Sequence, residues 1–190
     1  MPRRLDCSEY PREYRGLRQH DDYGCVYASI AGAVNHLTTP SADWTEASLR
    51  AACEGEEIPR SFDAIKVAVR AHNELKFVHT PLDRCTKCDS YVNAIAKAVR
   101  QGGVAIISFQ VPAPSAEHGQ CYHMVTLVEQ LEHEVAWKAW DTAGYWLLLT
   151  ESDLRTGFLH PCDNRRFSPH ARADRLIVER LGGRGTPHLS

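Results

Sequence analysis

Cys25, His123 and Asp141 stand in the order nucleophile, base, acid, and each occupies a position from which that chemistry could be done. Cys25 closes the polar stretch RQHDDYG and opens the apolar helical pattern CVYASIAGAVNHL. The thiolate is the reactive form of cysteine, and a free thiol is mostly protonated near neutrality. A helix N-terminus counters this through its unpaired N–H groups and its dipole. A base must then come from elsewhere in the chain and be oriented by a third group. His123 leads the strand-like run HMVTLVEQL, and Asp141 ends the next such run, VAWKAWD. With a tight connection at residues 132–134, positions 123 and 141 fall near the same end of a hairpin, so the carboxylate can reach the imidazole. Gln19, a short way before Cys25, could donate an amide N–H to a developing oxyanion.

Each of these residues also has a plainer reading. A cysteine before an Ala-rich helix is usually a buried, inert core residue. A histidine at a strand end can be structural, and an aspartate there can start a turn. His118 is the competing base, but it lies in a loop of Pro, Ser and Gly with no strand to position it. What favours chemistry is the ordered set, since the three plain readings would have to coincide.

The elements that must position these residues are legible as changes of period. Val26, Ile30, Ala33, Val34 and Leu37 recur at helical spacing, and Pro40 stops the pattern. Asp43 to Glu46 has the spacing of a capping box, and the helix it opens is expected to reach Gly55. Phe62, Ile65, Ala68 and Val69 mark a third helix after Ser61; Val92, Ile95 and Val99 mark a fourth, ending at Gly102-Gly103. Then the period shortens. VAIISFQV (104–111) is a buried strand, and residues 123–131 alternate with Val125, Leu127 and Leu131 on the side of His123. Residues 135–141, 145–150 and 175–181 complete the strands. Helices first and an antiparallel sheet second make an α+β fold. One domain is expected over residues 1–182, with 1–16 an extended arm and 183–190 a disordered tail.

Composition narrows the function classes. A chain of 190 residues can bury a real core, and 43% hydrophobic with 24% charged residues is ordinary for a soluble globular protein. A net charge of -2 gives no electrostatic reason to bind nucleic acid or an anionic membrane surface. The apolar runs are too short to span a bilayer, and the N-terminus has no apolar core of a signal peptide. The expectation is a cytoplasmic protein, or one exported by a route that needs no N-terminal signal. Seven cysteines without a regular framework point to a reducing compartment and thiols used singly. Cys85-x-x-Cys88 and His118-x-x-Cys121 together have the ligand count of a Cys₃His zinc site. A lone C-x-x-C in a loop is the stronger reading, so neither metal nor cofactor is expected. His160 and Cys162, either side of Pro161, read as loop residues.

Four stretches carry a resemblance to a known group: QHDDYGCVYASIAGAV, SFDAIKVAVRAHN, GGVAIISF, and HMVTLVEQ with VAWKAWDTAG. Over roughly residues 17 to 160 the chain resembles the papain-like cysteine peptidases, and is most similar to their C39-like branch. LLLTESDL resembles the segment that follows the acid in that group. The resemblance implies a papain-like fold, with N-terminal helices packed on an antiparallel sheet. It implies Cys25 as nucleophile, His123 as base and then acid, Asp141 as orienter, and Gln19 sharing the oxyanion hole with the backbone N–H of Cys25. A peptide or protein would be the substrate of such a cysteine hydrolase. A papain-like acyltransferase or transglutaminase-type enzyme would use the same triad, and a catalytically silent binding protein could keep the same fold. The chain departs from the group in having Gly24 before the cysteine where many relatives have Asp, Val26 after it where they have Gly, and Thr142 where they have Pro. Those changes bear on specificity and subfamily.

Overall fold

The run VAIISFQVP is apolar at odd and even positions alike, a pattern that suits a strand covered on both faces. The computed structural model describes residues 2–11, 14–21, 24–38, 43–53, 65, 67, 75–81, 88–112, 120–131, 135–162, 164–169 and 174–180. In it this run is a strand, Val104–Pro112, at the centre of a twisted antiparallel sheet. Val104 and Ile106 enter one hydrophobic core, while Ala105, Ile107, Phe109 and Val111 enter a second on the opposite face. The expected α+β class with an antiparallel sheet is present.

In chain order the strands are β1 (Arg3–Arg4), β2 (Leu75–Pro81), β3 (Val104–Pro112), β4 (Gln120–Gln130), β5 (Ala136–Asp141), β6 (Tyr145–Thr150), β7 (Phe158–Leu159), β8 (Arg166–Pro169) and β9 (Asp174–Arg180). The helices are α1 (Cys25–Leu37), α2 (Glu46–Ala52), α3 (Cys88–Arg100) and α4 (Glu151–Thr156). The sheet runs β1-β6-β5-β4-β3-β8-β7. Along the outer edge of β3, β8 pairs with the Phe109 end and β9 with the Val104 end, and β2 pairs in turn with β9.

α1 is buried from Cys25 to Val34, which its composition allows. A helix apolar all round belongs in an interior, and Ala28, Ser29, Ala31, Gly32 and Ala33 let neighbours approach closely. One core joins α1 to Leu5, Tyr14, Leu49, Met124, Trp140 and Trp146. On the other face Val92, Ile95, Ala96 and Val99 of α3 cover Val125, Leu127, Trp137 and Leu147. Fully burying a side chain such as Ile30 or Ile95 is worth roughly 1.5–3 kcal/mol.

The structure differs from the expected elements in several places. The helices do not form a leading block: β1 precedes α1, β2 precedes α3, and α3 lies across the sheet from α1. Two-residue strands such as β1 and β7 are too short to show a period, so they carry no sequence signal. The cap of α2 is Thr45, whose side chain accepts from the Ser48 N–H; Asp43 instead has a positive φ of 53°. α2 ends at Ala52, short of Gly55. Within β4 the alternation holds from His123 to Leu127, and a bulge between Leu127 and Glu129 then breaks it, leaving Leu131 beyond the strand. Of the expected third helix only Ile65 and Val67 are described, both helical, Ile65 buried and Val67 exposed. The connection at 132–134 and the tail at 183–190 lie outside the described residues. No helix among the described residues is long and apolar enough to cross a membrane.

Candidate active site

Cys25 is the first residue of α1, as its pattern implies, and the segment before it is held on two sides. The Gln19 backbone N–H donates to the Thr142 carbonyl at 3.0 Å, and the Thr142 hydroxyl donates to Gln19 Oε1 at 2.6 Å. A proline at 142 could make no such side-chain bond. From the other side α2 contributes two residues. The carboxylate of Glu46, buried, accepts the His20 N–H at 2.7 Å and an Arg50 N–H at 2.9 Å. Arg50 also grips the Asp21 carboxylate with both terminal nitrogens, at 2.8 and 3.1 Å. A side chain at position 24 would overlap the Glu46 carboxylate as it stands, so glycine lets that carboxylate pack against the start of α1.

The β4–β5 hairpin aligns the second and third residues. Val125 pairs with Asp141, which puts both side chains on one face of the sheet and makes His123, two residues along, the diagonal neighbour of Asp141. His123 Nε2 lies 2.7 Å from Asp141 Oδ1. The same Oδ1 accepts the Ala143 N–H at 2.8 Å, and the Asp141 carbonyl accepts the Gly144 N–H at 2.8 Å. The tight turn Asp141-Thr142-Ala143-Gly144 needs its glycine, whose φ is 104°. Both His123 and Asp141 are buried, as is the Cys25 thiol.

With Nε2 committed to Asp141, Nδ1 is the ring nitrogen left for the thiol. Cys25 Sγ sits 3.8 Å from the Tyr122 carbonyl, one residue before the ring. Burial alone would push the basicity of the His123 ring down, but the Asp141 carboxylate outweighs burial and Cys25 adds in the same direction, so the ring is held well above the usual histidine value. Burial likewise acts to raise the Asp141 value, and His123 outweighs it, with smaller help from His160 and the Ala143 N–H, so the carboxyl stays below its usual range.

These opposed shifts set a pH dependence. The lowered Asp141 contributes stability that is present above its unfolded value and lost as pH falls; the raised His123 contributes stability complete below its unfolded value and lost only as pH climbs through the raised one. The pair should therefore stabilise the fold most between about pH 4 and 6.5. Thermal unfolding of the protein and of Asp141→Asn at several pH values checks this: the gap in melting temperature should be widest in that window and narrow toward strongly acid and strongly alkaline pH. A gap independent of pH would show that the pair is not an ion pair.

The remaining candidates divide. Gln19 is half-buried, and its amide group gives one N–H to the Asp21 carbonyl at 2.8 Å, leaving the second amide hydrogen for another acceptor. His118 and Cys85 lie outside the described residues, as does the side chain of Cys88, while Cys121 packs half-buried against the second core. Among the described residues no group of three or more metal-binding side chains converges. His160 does lie in a loop, the turn between β7 and β8, as expected, but what the sequence did not show is that it is fully buried with Nε2 3.0 Å from Asp141 Oδ2. No spacing in the sequence links it to Asp141, and its place is given by α4 and the β7–β8 turn. Glu46, Arg50 and Thr142 were likewise invisible as supports of the Cys25 loop, because each acts across a long sequence separation.

No protein-family model matches the chain, and no curated protein is significantly similar to it. What the site can do rests on its own geometry.

Proposed function

We propose that this protein is a papain-like cysteine hydrolase of the C39-like kind, cutting a peptide, isopeptide or other amide bond through Cys25, His123 and Asp141. The observation that carries the reading is the buried 2.7 Å contact of His123 Nε2 with Asp141 Oδ1, beside a cysteine that begins a helix. The thiol proton passes to His123 and the sulfur attacks the substrate carbonyl carbon, forming a C–S bond and an oxyanion. The Cys25 backbone N–H and the second amide hydrogen of Gln19 are the donors for that oxyanion. As the C–N bond breaks, His123 returns its proton to the leaving amine, and a thioester remains on Cys25. Water, deprotonated by His123, then releases the acid and restores the thiol. The turn at Asp141 holds the ring so that one nitrogen faces the sulfur throughout.

The test measures the thiols before any substrate is known. Limiting iodoacetamide and peptide mapping should show Cys25 alkylated despite its burial, at a rate that falls on the order of tenfold or more in His123→Gln. Exposed Cys7 serves as the control and should be unaffected. Equal Cys25 rates in the two proteins would sink the reading. An acyl-amide probe, with and without added amine, then assigns the acceptor: free acid alone means a hydrolase, and amide product means the acyltransferase.

A further inference from the structure

We propose that His160 is a positioning residue, a neutral imidazole that holds the second oxygen of Asp141 and so reserves the site's proton for His123. This role rests on the thiol-hydrolase reading only in its consequence for turnover; the geometry stands apart from it.

The ring of His160 is fixed on every side. Its backbone closes the β7–β8 turn, donating from N–H to the Arg165 carbonyl at 2.8 Å and accepting the Asn164 N–H at 3.0 Å. Phe167 stacks on the ring at 5.1 Å and 26°, and Tyr145 meets it at 5.7 Å. Phe167 also meets His123, at 5.4 Å and 82°, so one aromatic side chain touches both imidazoles. An aromatic box of this kind would accept phenylalanine as readily as histidine. The polar contacts explain the histidine. Nδ1 accepts the Cys162 backbone N–H at 3.2 Å and is therefore the unprotonated nitrogen. A neutral ring then carries its hydrogen on Nε2, the atom that faces Asp141 Oδ2 at 3.0 Å.

The consequence lies in how the carboxylate is divided. Oδ1 already has two donors, His123 Nε2 and the Ala143 N–H. Oδ2 is buried, and a carboxylate oxygen with no polar neighbour there would be costly; His160 Nε2, 3.0 Å away, is close enough to serve it. Two imidazoles on one carboxylate could also compete for the same proton. Protonating Nδ1 of His160 would set N–H against the Cys162 N–H, so a proton delivered to the site goes to His123, the ring facing Cys25. Among the described residues, titratable groups nearby include Tyr145 at its edge, Cys162, whose backbone binds it, and His123 across Phe167, with Arg165 5.9 Å over Phe167.

The tautomer is read on the wild-type protein at neutral pH by long-range proton–nitrogen correlation of the histidine side chains. His160 should carry its proton on Nε2 alone. A proton on Nδ1, or on both nitrogens, overturns the proposal. Two variants then test the role. His160→Phe keeps the stack and removes both polar contacts, whereas His160→Gln keeps an N–H donor at the Nε2 position. The expectation for His160→Phe is slower alkylation of Cys25, and a kcat lower by about tenfold to a hundredfold with KM within about twofold. His160→Gln should recover most of both. Wild-type alkylation in a folded His160→Phe protein, or no rescue by glutamine, overturns the positioning role. If no protein in the series cleaves an amide while tautomer and alkylation follow this pattern, the hydrolase reading fails and the positioning role stands.

Discussion

Alanine at His123 should remove turnover as completely as alanine at Cys25, a loss on the order of 10⁴-fold or more for each. In the proposed mechanism the imidazole enters the reaction twice, taking the thiol proton before attack and giving one to the leaving amine afterwards. Structure adds a complication that kinetics alone would miss. Asp141 is fully buried 2.7 Å from His123, whose ring its carboxylate favours in the charged form, so removing the ring leaves that carboxylate uncompensated in the interior. Breaking a buried pair in this way typically costs about 3–5 kcal/mol, enough to confuse inactivity with unfolding. His123→Gln separates the two. Its amide nitrogen can reach the place of Nε2 and donate to Asp141 Oδ1, yet it has no basic nitrogen for the thiol. That variant should fold by circular dichroism, melt closer to wild type than His123→Ala, and be equally inactive. Retained turnover in folded His123→Gln would remove His123 as the base, and an inactive His118→Ala beside it would move the base to the loop.

At Asp141 the expected order of turnover is wild type, then asparagine, then alanine. Asparagine can still present an oxygen to His123 Nε2 and to the Ala143 N–H, so the ring remains oriented and activity remains clear. Its amide nitrogen then faces His160 Nε2, and with the tautomer proposed above this sets a donor against a donor, a buried mismatch that should lower stability by about 1–3 kcal/mol. Alanine gives up the His123 and Ala143 contacts together. Its turnover should fall about tenfold to a hundredfold, or 1.4 to 2.7 kcal/mol in the barrier. Its melting temperature should drop by roughly 6–20 °C, from the loss of a buried partner at 2–4 °C per kcal/mol. Steady-state rates and thermal unfolding of the three proteins decide the matter. Wild-type rates in Asp141→Ala would show that the ring is oriented by something else.

The parts of the site that could be read from the chain are those built by local rules. The start of α1 at Cys25 follows from a polar stretch meeting a helical period. Strands β3, β5 and β6 follow from their apolar runs, within a residue or so of their observed ends. His123 and Asp141 come together because they share one hairpin, where a short connection costs little entropy and the two-residue alternation selects the face. Even in this hairpin two details depart from the local pattern. β4 begins at Gln120, so His123 lies inside the strand, and the bulge after Leu127 ends the alternation.

What the sequence by itself determined is therefore the α+β class, the helix start under the cysteine and the hairpin that unites histidine with acid, since each depends on residues close along the chain. Tertiary structure alone decided which helix covers which face of the sheet, because an apolar stripe records that it must be buried and not against what. It also decided the supports of the site. Thr142 meets Gln19 across 123 residues, and Glu46 meets the His20 N–H across 26. His160 reaches Asp141 only because α4, capped by Thr150 and Asp153, turns the chain from β6 into the β7–β8 hairpin. Such contacts join single polar atoms from distant segments, and a single polar residue in a loop has no period by which it could be recognised.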